Sequence, residues 1–135
     1  MTSTMSELHC VVITPEQTEL DVTAESVTLP LFDGEMGILV GHSPLVGRLG
    51  YGSLRVKQPG GESESYFVEG GFAQVVSNTI SVLTDNMTPM AELTADAARD
   101  AMRTALDMPT DDPEQIIARE KAVNRARALV RLTSS

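Results

Sequence analysis

Only a few stretches of this 135-residue sequence combine residue types and spacings that chemistry could use. His42-Ser43 sets an imidazole beside a hydroxyl, the parts of a base and a nucleophile. Adjacent residues rarely point at one another, however, and no third group or oxyanion motif accompanies the pair. His42-Ser43-Pro44 reads instead as a structured loop in which Pro44 keeps Ser43 out of the helical region. Asp33, Glu35 and Glu69 stand near glycines, and carboxylates brought together serve acid–base chemistry; turn chemistry and solvated strand ends account for them more simply. Gly70-Gly71 would admit a phosphate to the backbone, but the lysine and following helix of a phosphate loop are missing. A bulge or a sharp strand turn is the reading there. Cys10, the single cysteine, reads as a small buried hydrophobe. Arg119, Lys121, Arg125, Arg127 and Arg131 form a basic run, either a solvated helix face or a docking surface, and its contrast with an acidic protein raises the second reading. No set among these makes an enzyme.

Composition limits the framework that positions these residues. A chain of this length, 41% hydrophobic and 21% charged, matches one globular domain with an appendage. One cysteine excludes an internal disulfide and a multi-cysteine metal site, and two histidines are too few for an all-histidine zinc site. No run approaches the ~20 apolar residues of a membrane-spanning helix. Residues 1–7 lack the basic start and apolar stretch of a secretion signal. A net charge of −9 disfavours nucleic acid and anionic lipid as direct partners. The expectation is a soluble acidic protein of a reducing compartment.

The charge is uneven. Residues 1–88 hold three bases against eleven acids, a net −8; residues 119–135 hold five bases against Glu120 alone, a net +4. All ten glycines lie between Gly34 and Gly71, after which alanine takes over. This predicts a sheet domain over 1–88 and a helical domain over 89–135. Short β-branched or alternating runs at Leu8–Thr14, Glu25–Leu31, Met36–Val40, Leu54–Lys57, Tyr66–Glu69, Phe72–Val76 and Thr79–Thr84 have turn residues between them. Their spacing predicts an antiparallel sandwich or barrel rather than βαβ units. Thr94 caps a first helix with Asp96 in its first turn, and Ala98, Ala101, Ala105 and Met108 form its stripe, ended by Pro109. Asp112-Pro113-Glu114-Gln115 is a second helix start, with Gln115 placed to complete a capping box. The short connection folds the two helices into an antiparallel hairpin.

Two blocks then carry a resemblance: Gly34-Glu35-Met36-Gly37-Ile38-Leu39-Val40-Gly41-His42-Ser43-Pro44-Leu45-Val46, continued by Leu49–Val56, and Val68-Glu69-Gly70-Gly71-Phe72-Ala73-Gln74-Val75 with Asn78 and Ile80–Leu83. Together with Val12–Glu16 and Asn124–Leu129, they resemble the epsilon subunits of F-type ATP synthases over nearly the whole chain. The resemblance implies an antiparallel β-sandwich of about ten strands followed by a two-helix hairpin. It implies a non-catalytic subunit of the central rotor stalk, bound to the gamma subunit and the c-ring, on the cytoplasmic face of the bacterial inner membrane. Membrane association would come only through the complex. It also implies that the extended hairpin reaches the catalytic beta (and alpha) subunits and restrains ATP hydrolysis.

Residues follow from that likeness. Asp33, Gly34, Glu35 and His42 correspond to loops facing the c-ring, and Phe72 and Val75 are candidates for an apolar patch facing gamma. The basic run of the last helix is the candidate for the regulatory contact. Some members bind ATP through a first-helix pattern whose nearest match is Asp96 and Arg99. Its flanking residues depart from the pattern, and no cofactor is expected. The competing expectation is a small β-sandwich module binding a peptide or ligand, with a helical oligomerisation tail.

Overall fold

The computed structural model describes residues 7–134; the reading of residues 1–6 as lacking a signal segment lies outside them. The chain divides into two compact units, the first ending at Met90 and the second beginning at Ala91.

Among the described residues the first unit holds eight strands: β1 (Leu8–Ile13), β2 (Thr18–Ala24), β3 (Ser26–Leu31), β4 (Gly34–Ile38), β5 (Leu45–Lys57), β6 (Ser63–Val76), β7 (Thr79–Leu83) and β8 (Met87–Pro89). They hydrogen-bond in the order β2-β1-β7-β6-β5-β3-β4, with β8 also on β6. Leu8, Cys10 and Val12 from one end of that path share a single core with Val27, Leu29 and Ile38 from the other. The sheet must therefore fold over on itself as a sandwich, with apolar residues in and polar residues out along each strand.

The sandwich followed by two helices is as expected, but the expectation of about ten antiparallel strands needs correction. Eight are present among the described residues, and β1 pairs with β7 in parallel. Strand β2, Thr-Glu-Leu-Asp-Val-Thr-Ala, is absent from the expected runs although Leu20, Val22 and Ala24 alternate with Glu19, Asp21 and Thr23 and turn toward the core. The two short runs at Tyr66–Glu69 and Phe72–Val76 are one 14-residue strand. Its register with β5 is unbroken on both sides of Gly70-Gly71, from Tyr51↔Glu69 to Leu49↔Gly71. The pair is therefore no bulge. Both glycines have positive φ, +72° and +108°, so the strand bends there, pairing with β8 before the bend and β7 after it. A Cβ on Gly71 would stand 1.8 Å from the Leu83 carbonyl oxygen, so only glycine lets β7 approach.

Strand β5 also runs further than expected, because its glycines read as turn residues. Gly52 is an accommodation to a neighbour. The buried Pro30 of β3 has no N–H to donate, the β3–β5 register shifts between Thr28 and Leu31, and a Cβ on Gly52 would meet the Pro30 ring at 2.8 Å.

In the second unit α1 spans Ala95–Leu106 and α2 spans Pro113–Thr133. Thr94 caps α1 by accepting from the Ala97 N–H at 3.1 Å, and Asp112 caps α2 by accepting from Gln115 N–H at 2.9 Å. Gln115 reaches back as expected but takes the Asp111 N–H, one residue before the cap. Ala98, Ala105, Val123, Ala126 and Leu129 are buried. Met108, expected on the first stripe, lies beyond the helix, which ends before Pro109.

Candidate functional site

Strand alternation that buries Val12, Val82, Ala73 and Leu49 turns their neighbours Ile13, Leu83, Phe72 and Arg48 outward. The register lines these four up: Ile13 opposite Leu83, Leu83 opposite Phe72, Phe72 opposite Arg48. Directly opposed side chains lie about 5 Å apart, so Ile13, Leu83 and Phe72 form one apolar row across β1, β7 and β6. The last two are 53% and 58% exposed. Single exposed hydrophobes are ordinary, whereas a contiguous set marks an interaction surface. Val46 on β5 and Val76 on β6, 73% and 41% exposed, extend it along the same face. An open groove of about 390 Å³ lined by Ile13, Pro15, Phe72, Leu83 and Asp85 borders the row. At its other end the Arg48 guanidinium lies over the Phe32 ring, 4.8 Å from the centroid, and the Phe32 N–H donates to the Arg48 carbonyl at 2.7 Å.

Of the two residues expected to face gamma, Phe72 stands in the middle of this row. Val75 does not: it is 1% exposed and part of the sandwich core. An odd sequence separation on a strand puts two side chains on opposite faces, so the pair could not have served one surface. Ile13, Leu83 and Val46 were missed because their alignment depends on pairings between strands distant in sequence.

The residues expected at the c-ring separate as well. Leu31 pairs with Gly34 around the turn Phe32-Asp33, and Asp33 and Glu35 are exposed there. His42 lies beyond the opposite end of β4, a strand about 13 Å long. Leu39–His42 form a turn closed by His42 N–H to the Leu39 carbonyl at 3.1 Å, with Gly41 at φ +86° and no positive φ at Val40, as in type II. The imidazole Nδ1 is 2.7 Å from the Ser43 carbonyl oxygen, a backbone contact rather than a base–nucleophile pair.

Burial pushes the Cys10 thiol up to about 12, leaving it protonated and inert. Burial, reinforced by the neighbouring Glu64, does the same to the Tyr66 hydroxyl, also to about 12. Among the described residues no three His, Cys, Asp or Glu gather where a metal ion could sit.

On the hairpin, Asp96 and Arg99 pair with each other on the exposed first turn of α1, and Arg103 pairs with Asp100 at 2.8 Å. The five bases of α2 do not form a single face. At 3.6 residues per turn, Arg119, Arg127 and Arg131 lie within about a third of the circumference, and Lys121 and Arg125 form a separate stripe. Arg119 donates to the Leu106 carbonyl and borders a cavity with Thr110, Ile116, Val123 and Arg127.

Comparison with known proteins agrees with this geometry. Residues 7–90 match the family described as ATP synthase, Delta/Epsilon chain, beta-sandwich domain. The ATP synthase epsilon chain of Rhodopirellula baltica is 49% identical over 124 residues, 92% of this chain and 96% of that protein. That of Chromohalobacter salexigens is 34% identical over 95% of this chain and 91% of its own. Among solved structures, a chain of the Euglena gracilis mitochondrial ATP synthase, described as OSCP/F1/c-ring in rotational state 1, superposes with a TM-score of 0.81 at 25% identity, covering 92% of this chain and 79% of that one. A chain from the Tetrahymena thermophila mitochondrial ATP synthase central stalk and c-ring has the same fold, with a TM-score of 0.69 at 17% identity, covering 93% of this chain and 96% of that one.

Proposed function

Because the chain belongs to the family of ATP synthase epsilon chains, we propose that it acts without catalysis of its own, as the central-stalk subunit joining the gamma subunit to the c-ring. One observation carries this reading: the in-register row Ile13, Leu83, Phe72 on the outer face of the sandwich, an apolar surface with no occupant in its own unit. Gamma is the partner assigned to it. A joint that transmits torque needs more than about 1,000 Å² of interface, and the face spanning β1, β7, β6 and β5 supplies a wide platform.

The exposed tip at Asp33 and Glu35 is assigned to basic loops of the c-ring, where charge complementarity governs orientation and association rate more than affinity. His42, at the far end of β4, is left out of that contact. Among the described residues no helix is long and apolar enough to cross a membrane, and the protein would be held at the membrane's edge by the complex. The basic residues of α2 are assigned to acidic segments of the catalytic subunits, which the hairpin restrains. No nucleotide is assigned to Asp96 and Arg99, since a phosphate would have to displace a carboxylate from each paired guanidinium. A peptide- or ligand-binding module with an oligomerising tail is the weaker reading, because the groove beside Phe72 is open and Phe32 lies outside its lining, so the aromatic residues do not gather into one cleft.

The test is binding of the full chain to purified gamma. Phe72→Glu puts a charge on the row and is expected to weaken binding at least tenfold, as loss of an anchor does. Equal binding by this variant would remove the row from the interface.

A further inference from the structure

Resting on the docking-face reading, we infer that Arg48 determines the specificity of this surface by receiving a carboxylate of the partner between Phe72 and Phe32. Arg48 is the one charged residue of the aligned row. Of the three bases in residues 1–88, Lys57 is paired with Glu25 at 3.3 Å and Arg55, opposite Thr28, lies off the row. Arg48 forms no ion pair among the described residues, although Asp33 and Glu35 lie on the adjoining turn. Its guanidinium lies over the Phe32 ring instead, and its strand partner on the other side is Phe72.

An unpaired cation between two exposed aromatic residues is placed for an acid arriving from outside. Rings that shed water on docking strengthen both the cation–π contact and the new ion pair. The planar guanidinium can stack on Phe32 and still offer its edge N–H groups to a carboxylate, which an ammonium cannot do equally well. The partner surface that fits is an apolar segment meeting Ile13, Leu83 and Phe72, with an aspartate or glutamate at the Phe32 end. The nearby Asp33 and Glu35 repel a misplaced acid and so confine it to Arg48, a discrimination of the kind specific interfaces use.

The experiment measures binding of the full chain to the gamma subunit of its own synthase at low and high salt. Arg48 and Phe32 are both exposed, so substitutions leave folding intact. Arg48→Gln is expected to weaken binding about tenfold at low salt, with Arg48→Lys recovering part of the loss. The gap between Arg48→Gln and the parent should shrink at high salt, because a missing charge pair is a salt-sensitive loss. A packing role through Phe32 alone would make the loss independent of salt, and that result overturns the inference, as does binding by Arg48→Gln within twofold of the parent. Phe72→Glu separates the two levels: normal binding by that variant sinks the docking face itself, whereas weak Phe72→Glu with normal Arg48→Gln sinks only the role of Arg48.

Discussion

Phe72 and Val75, three residues apart on one strand, have opposite physical roles. Val75 fills the core and Phe72 faces out. Val75→Ala removes buried methyl groups and leaves a cavity, and is expected to lower the unfolding free energy by about 2 kcal/mol, with binding of the folded protein unchanged. Phe72→Ala should shift stability by no more than about 0.5 kcal/mol and weaken gamma binding. Denaturation curves beside binding isotherms decide it; the reverse pattern would mean the strand's faces are misassigned. Cys10 sets a pH dependence. Its thiol is raised from 9.0 to about 12 by burial, so the folded state holds a proton that the unfolded chain releases first. The stability linked to Cys10 is whole below pH 9 and declines as pH rises from 9 toward 12. Cys10→Ala should flatten that decline in denaturation midpoints; an equally steep fall would assign it elsewhere.

Elements were legible in the sequence to the extent that their signals are local. Both helix starts could be read because a cap and its partner stand three residues apart, as at Thr94–Ala97 and Asp112–Gln115. Strand lengths could not. Gly52 belongs to a strand because Pro30 presses on it, and Gly71 because Leu83 crosses it, and both causes are distant in sequence. Asn78 shows the same long reach. With Ser77 it makes the β6–β7 turn, both residues at positive φ (+50° and +64°). Glycine suits the second position of such a turn better. The Asn78 side-chain oxygen accepts the Gly41 N–H at 2.8 Å, pinning the type II turn 37 residues earlier. Asn78→Gly is therefore expected to leave the sandwich folded while the Gly41 amide exchanges with solvent about tenfold faster, the value of one lost hydrogen bond. Unchanged exchange by NMR would show that the turn is held by other means.

At the scale of the whole molecule, the division into an acidic sheet unit and a basic-ended hairpin could be read from charge and glycine distribution alone. Where the outer apolar row lies could not, because it exists only after β1, β7 and β6 align. The alanine seam of Ala98, Ala105 and Ala126 with Val123 and Leu129 buries little area per residue, which on the proposed reading would let the hairpin exchange docking partners. Exposed ion pairs contribute only ~0–1 kcal/mol each, so restraint by the bases of α2 needs several together. Removing residues 91–135 is expected to raise ATP hydrolysis by the reconstituted complex, and added salt should raise it in the intact one; hydrolysis indifferent to both would leave the hairpin without that role. The central claim is tested most directly by ATP synthesis in membrane vesicles whose synthase has been stripped of this subunit. Adding back the full chain should restore synthesis and adding Phe72→Glu should not; no recovery with the parent chain, or equal recovery with both, would contradict the account.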